Sequence, residues 1–276
     1  MSHKIIAVDL DGTLLNSQSQ LSDFTKETIK KVSQKGHKVI IATGRPYRMA
    51  YHYYKELELD TPMINFNGSL THLPGKKWEF ERSLTVDKSF LIDMVTREEE
   101  IEADFIAGEF RNKFYITNPD EKVASPQLFG VSSFIPENQL DSQLITKDPS
   151  AILLQTRAKD KYALADQMKS FYNHELSINT WGGPLNILEC TPKGVNKAFS
   201  LNYLLNVLNA DRTDIIAFGD DEYPLQFLGS EANSSNTWLW AWENINEFDD
   251  KIISLAREIK AKGEKLNLEA LTTAEI

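Results

Sequence analysis

The chain is poor in cysteine, lacks any long apolar run and carries fewer bases than acids, and each shortage excludes a class of protein. One cysteine, Cys190, stands among 276 residues. An intramolecular disulfide is therefore impossible, and with no histidine near it in sequence Cys190 reads as a small buried apolar residue beside a strand. No stretch reaches the ~20 apolar residues of a membrane span, and the amino terminus lacks a basic segment followed by an apolar one. A reducing, cytoplasmic setting without a membrane partner is the expectation. Lys and Arg total 30 against 40 Asp and Glu, a net charge of -10. That field repels phosphate backbones, which argues against nucleic acid but leaves room for a small phosphorylated ligand held by a few local cations. The length admits two domains, and nothing in the sequence gives the oligomeric state.

What is present is organised around Lys4 to Leu15, KIIAVDLDGTLL. Lys4 to Val8 is an almost unbroken apolar run, the pattern of a strand buried on both faces of a parallel sheet. Asp9 and Asp11 arrive where that strand ends, and Gly12 and Thr13 form a turn. Acids at the carboxyl end of a central strand occupy the usual place for chemistry in an open α/β sheet, although Asp and Gly also serve turns for backbone reasons alone. The run V-D-L-D-G-T resembles the first motif of the haloacid dehalogenase-like phosphohydrolases.

Ser22 is placed to cap a helix whose Phe24, Ile29 and Val32 recur at helical spacing, ended by Gly36. Lys38 to Ala42 gives a second strand and terminates in Thr43-Gly44-Arg45-Pro46. A strand, helix and strand in one right-handed crossover bring both polar turns to the same sheet edge. Thr43 then either caps the helix from Tyr47 towards Leu57 or, with Gly44 and Arg45, binds a phosphoryl group. The A-T-G-R-P run is similar to the second motif of the same enzymes, where Thr contacts phosphate. A third strand, Met63 to Phe66, runs into Asn67-Gly68, a turn signal. In the Cof-type branch an N-G follows this strand, which implies a substrate contact for Asn67.

From about Leu84 the character changes. Amphipathic stretches, Ser89 to Glu98 and Lys159 to Phe171, alternate with strand-like pieces at 113–116, 151–154 and 176–178. The charged run Arg97 to Glu100 reads as a solvated face. We divide the chain into a first core part at 1–83, an inserted α+β domain at 84–185, a second core part at 186–224 and an atypical segment at 225–276. The fold class is α/β, a Rossmann-like core with a parallel sheet, and the resemblance implies that the insertion is a C2-type cap over the active site. Trp181 to Gly183 is a turn or the hinge of return.

The core is expected to resume with Leu185 to Glu189, followed by Thr191-Pro192-Lys193-Gly194-Val195-Asn196-Lys197. The family pattern places its lysine after G-V-N, at Lys197 rather than Lys193, as a compact cation on the nucleophile and phosphoryl oxygens. Phe199, Leu201, Leu204, Leu205 and Leu208 make a helical core stripe. The strand Asp214 to Phe218 leads to Gly219-Asp220-Asp221, which resembles the family's metal-binding motif. Mg2+ takes one or two carboxylates plus waters and phosphate oxygens. The resemblance implies Asp9, Asp11, Asp220 and Asp221 and the backbone carbonyl of Leu10 as its surroundings, with Leu10 also at the phosphate.

Two departures stand against the pattern. Tyr223 and Pro224 occupy the places where the branch usually has Asn and Asp. Beyond them the chain reads N-T-W-L-W-A-W from Asn236 and resembles an unrelated family of unknown function. The resemblance therefore implies a magnesium-dependent phosphatase of small, sugar-phosphate-like metabolites working through an aspartyl-phosphate: Asp9 attacks, Asp11 acts as acid and base, Lys197 balances charge. The competing expectation is a catalytically impaired scaffold that binds a phosphorylated ligand or a protein, favoured by the altered metal-binding motif and foreign tail.

Overall fold

The computed structural model describes residues 3–141, 145–181 and 185–219. At its base lies a parallel sheet in the order β11-β1-β2, formed by β1 (Ile5–Val8), β2 (Lys38–Ile41) and β11 (Ile215–Phe218). Val8 pairs with Ile41 on one side and Phe218 on the other, so all three strands end at one level. The unbroken apolar run of β1 has the expected cause. Ile6 and Val8 pack on one face with Ile29, Ala50 and Tyr53, whereas Ile5 and Ala7 pack on the other with Ala198, Leu201 and Leu204. The helices are α1 (Asp23–Gln34) and α2 (Tyr47–Glu56) on the first face and α5 (Lys197–Val207) on the second.

Ser22 Oγ accepts the Thr25 N–H at 3.1 Å, as a helix cap should. Ile29 is buried and Val32 packs against the same cluster, as expected, joined by Thr25, whereas Phe24 is 37% exposed. Phe199 likewise leaves the expected α5 stripe, 36% exposed with Arg82 over its ring. A strand β3 (Met63–Asn65) joins β2 through a parallel bridge, Ala42 to Ile64. It then pairs antiparallel with β4 (Leu70–His72), which pairs with β5 (Arg82–Ser83).

The cap is a five-stranded antiparallel sheet, ordered β7-β6-β8-β10-β9. Its strands are β6 (Ala103–Glu109), β7 (Phe114–Ile116), β8 (Ala151–Thr156), β9 (Leu176–Thr180) and β10 (Ile187–Pro192). Helices α3 (Lys88–Thr96) and α4 (Lys161–Phe171) cover one face. Because strand side chains alternate, Ile106, Ile152, Ile178, Leu188 and Cys190 point to those helices, and Phe105, Ala107 and Leu153 to the other face. Cys190 is buried there, and its thiol is pushed up to about 12 by burial and then by the neighbouring Glu189.

The expected core return at 186 is corrected by this pairing. β10 lies between β8 and β9, so 187–192 belong to the cap sheet and the chain reaches the core through 193–196 and α5. An apolar run reads alike in either sheet, and only long-range pairing selects between them. The Trp181 N–H donates to the Ile187 carbonyl at 2.9 Å, which sets Trp181 inside the β9–β10 hairpin, not at a hinge; Gly182 and Gly183 lie outside the described residues. Among the described residues no helix is long and apolar enough to cross a membrane.

Candidate active site

The ends of β1, β2 and β11 open into a cleft of about 840 Å³ between core and cap. Asp9 is the first residue past β1, and its N–H donates to the Phe218 carbonyl at 3.0 Å. Asp9 is buried, at 6% exposure. Oδ1 accepts the Leu10 N–H at 2.7 Å, and Oδ2 accepts from Lys197 Nζ at 2.5 Å. A buried carboxylate needs such a partner, since an uncompensated charge in this environment is costly. Lys197 opens α5, whose cap is Asn196 with Oδ1 on the Phe199 N–H at 2.8 Å. Lys193 is exposed, so the lysine brought to the site is the expected one of the two.

The turn after Asp9 uses Gly12 at φ 68°. Leu10 has its side chain fully buried in the core, its N–H on Asp9 Oδ1 and its carbonyl accepting the Leu15 N–H at 2.9 Å, which closes the turn. Asp11 faces the cleft and is gripped by Arg45, Nε to Oδ2 at 2.7 Å and Nη2 to Oδ1 at 2.5 Å. Its carboxylate is thus engaged by the guanidinium in this geometry.

Thr43 is fully buried; its N–H donates to the Ile64 carbonyl and its Oγ1 accepts the Arg45 N–H at 3.1 Å. It does not cap α2, which begins after Pro46 with no side-chain cap. Gly44 lines the cleft, and a side chain there would stand 3.1 Å from the Asn67 amide. Asn67 adopts φ 51°, a left-handed conformation Asn tolerates better than most residues. Its N–H donates to the Thr43 carbonyl at 3.2 Å, tying the third loop to the second. Gly68, at φ 112°, lets the backbone of Asn196 approach: a Cβ at 68 would lie 2.3 Å from its carbonyl oxygen.

Two cap acids complete the cleft and were not singled out in the sequence. Asn67 Nδ2 donates to Glu189 Oε2 at 2.8 Å, and the Trp181 indole donates to the same carboxylate. Burial pushes the Glu189 carboxyl up to about 7, against the opposing pull of these two donors and Lys197. Glu109 is 2% exposed and held by Arg48 of α2 through two bonds, 2.6 and 2.9 Å. Burial still raises its pKa. An acid in the apolar run I-L-E-C is the local signal that marks Glu189.

A buried chain also runs from cap to core. Asn65 Nδ2 donates to the Arg45 carbonyl at 2.9 Å, Asn65 Oδ1 faces His72 Nε2 at 2.9 Å, and His72 Nδ1 faces Arg111 Nη2 at 3.2 Å. With Asn65 so oriented, Nε2 carries the proton and Nδ1 accepts from Arg111. His72 is fully buried, and burial, then Arg111, push it down to about 3.

For magnesium, the described residues offer Asp9 at the cleft and, once it leaves Arg45, Asp11. That fits the sparse protein ligation of this ion. The described residues contain no cluster of three metal-ligating side chains, and Asp220, Asp221, Tyr223 and Pro224 lie outside them.

Residues 6–227 match the family of haloacid dehalogenase-like hydrolases, and residues 198–276 match a family of unknown function, overlapping it from within α5. The 5-amino-6-(5-phospho-D-ribitylamino)uracil phosphatase YitU of Bacillus subtilis is 29% identical over 226 residues, 81% of this chain and 82% of that protein. A haloacid dehalogenase-like hydrolase from Bacteroides thetaiotaomicron shares the fold at a TM-score of 0.71 and 22% identity, over 82% of this chain and 85% of that one. A sugar phosphatase of subclass IIB does so at 0.64 and 16%, over 79% and 80%.

Proposed function

This chain belongs to the haloacid dehalogenase-like hydrolases, as a phosphoric monoester hydrolase, and from that premise we propose that it is a magnesium-dependent phosphatase of small, sugar-phosphate-like metabolites. The observation that carries the reading is the buried Asp9–Lys197 pair at 2.5 Å on the cleft floor. An Asp9 oxygen attacks phosphorus, the bond to the leaving alcohol breaks, and an aspartyl-phosphate forms. Lys197 offsets the charge that Asp9 and the phosphoryl oxygens bring together. The backbone of the Thr43-Gly44-Arg45 turn and Asn67 flank the phosphate.

Asp11 protonates the leaving oxygen and then takes a proton from the water that hydrolyses the intermediate. A carboxylate bound by two guanidinium N–H groups only accepts, so donation requires that Asp11 leave Arg45 and take up a proton from solvent. Bound Mg2+ supplies electrostatic stabilisation of the phosphoryl charge, with Asp9, Asp220 and Asp221 as the residues that would hold it. The relative named for a phosphorylated ribitylaminouracil supports a small phosphorylated metabolite as substrate. The single cysteine supports a reducing, cytoplasmic setting, and the net charge of -10 supports the absence of nucleic-acid and anionic-membrane partners.

The test is release of 4-nitrophenol from 4-nitrophenyl phosphate, with Mg2+ and with excess chelator, for the full chain and for Asp9→Asn. Metal-dependent turnover that drops by about 10³-fold or more in the variant is the expected result. A folded wild-type protein without turnover on any phosphate ester sinks the reading and favours a scaffold that binds without hydrolysing.

A further inference from the structure

The cleft is charged asymmetrically. Its core side presents two cations, Lys197 and Arg45. Its cap side, among the described residues, presents no Lys or Arg: the polar groups there are Glu109, Glu189, Gln127, Asn179, Thr180 and Tyr162. Glu109 is already matched by Arg48 through two bonds. Glu189 is 6% exposed and is held by neutral donors, Asn67 Nδ2 from the core and the Trp181 indole from the cap. A carboxylate offers about four acceptor positions, so these two donors leave capacity towards the cleft.

Glu189 also sits where the leaving group must pass. Its strand neighbours Leu188 and Cys190 face the cap helices, so alternation turns Glu189 to the cleft. Asn67, its core partner, adjoins Gly44 of the phosphate-flanking turn, and Lys197, the partner of Asp9, is close enough to pull on its charge.

Resting on the phosphatase reading above, we propose that Glu189 is the specificity-determining residue for the leaving alcohol: it accepts a hydrogen bond from a hydroxyl or amino group near the phosphate and excludes a second anionic group. The phosphate lies against the core cations, and the rest of the substrate, neutral or cationic, lies under a cap face whose described lining residues include no Lys or Arg. A carboxylate or second phosphate there would meet the Glu189 carboxylate with no Lys or Arg among the described cap-side lining residues to offset it, a penalty built against the wrong substrate.

The matched probes are glucitol 6-phosphate and 6-phosphogluconate, which differ in a terminal hydroxymethyl against a carboxylate, with 4-nitrophenyl phosphate as the ester that carries no hydroxyl. At about pH 8, where Glu189 is ionised although burial raises it to about 7, wild-type full-length protein with Mg2+ should prefer glucitol 6-phosphate to 6-phosphogluconate by about tenfold or more in kcat/KM, the size of one charge-assisted contact. In Glu189→Gln the ratio of glucitol 6-phosphate to 4-nitrophenyl phosphate should fall about tenfold, chiefly through KM, and the preference over 6-phosphogluconate should shrink. Each ratio is internal to one preparation, so loss of folded protein cancels from it. Equal turnover of the matched pair by wild type, or ratios unchanged within about twofold in Glu189→Gln, overturns the inference while leaving the phosphatase intact. Absence of any turnover in wild type removes the phosphatase reading and the inference with it.

Discussion

Arg45 binds Asp11 through two parallel hydrogen bonds, Nε to Oδ2 at 2.7 Å and Nη2 to Oδ1 at 2.5 Å, while its backbone carbonyl is held by Asn65. One residue thus ties the proposed acid–base group to a scaffold that reaches His72 and the cap. Lysine keeps the charge of Arg45 but not the planar fork. Arg45→Lys should lower kcat/KM by about tenfold, since it changes both a cation that the phosphate lies against and the fork that holds Asp11 at the cleft before it is released to move the proton. Steady-state kinetics on an aryl phosphate decide this; an unchanged kcat/KM would show that the planar fork of Arg45 serves neither group.

Gly68 governs the approach of α5 to the site. Alanine there would place its Cβ 2.3 Å from the Asn196 carbonyl oxygen in a backbone conformation, φ 112°, that L side chains rarely adopt. Gly68→Ala should cost about 2 kcal/mol or more. It should also reduce turnover beyond the loss of folded protein, because Asn196 caps the helix that presents Lys197. Urea unfolding and active-site titration of the same sample separate the two effects.

His72 should make stability depend on pH in the acid range. Its pKa is held down to about 3 in the folded protein, against an ordinary value near 6.5 in the unfolded chain. Between those values the unfolded state binds the extra proton, so stability falls as pH falls from about 6.5 towards about 3, by up to about 1.4 kcal/mol per pH unit. Glu189, raised to about 7, works in the opposite direction: its contribution is full below the ordinary carboxylate range and is lost as pH rises through about 7. Unfolding free energies measured from pH 4 to 7 should have a steeper positive slope in wild type than in His72→Phe. Identical slopes would mean that His72 is not held neutral.

The Arg48–Glu109 pair joins core to cap and buries a carboxylate at 2% exposure. Arg48→Ala leaves that acid without its cation and should destabilise by about 3 kcal/mol or more. Replacing both with apolar residues, Arg48→Met with Glu109→Leu, should recover most of the loss, because no unpaired charge remains. A double-mutant cycle from thermal or urea unfolding checks this, and additive losses would contradict it.

Strand pattern and turn chemistry alone marked the β1 and β2 strands, the acids past β1, the T-G-R turn after β2 and the cap at Ser22, because each is a local preference of chain and side chain. They also located the strand-like pieces of the cap at 113–116, 151–154 and 176–178. Lys197 over Lys193 needed the resemblance, since its partner Asp9 lies 188 positions away. Local signals were blind wherever a role comes from a distant partner. The run at 187–192 reads alike for either sheet, and pairing with β8 and β9 decided for the cap. Glu189 meets Asn67 across 122 residues and Glu109 meets Arg48 across 61, so these acids became part of the cleft only when two sheets faced each other. Local residue preferences determined where chemistry is placed along the chain; tertiary packing decided which charges face it, because burial and pairing set the cost of each charge.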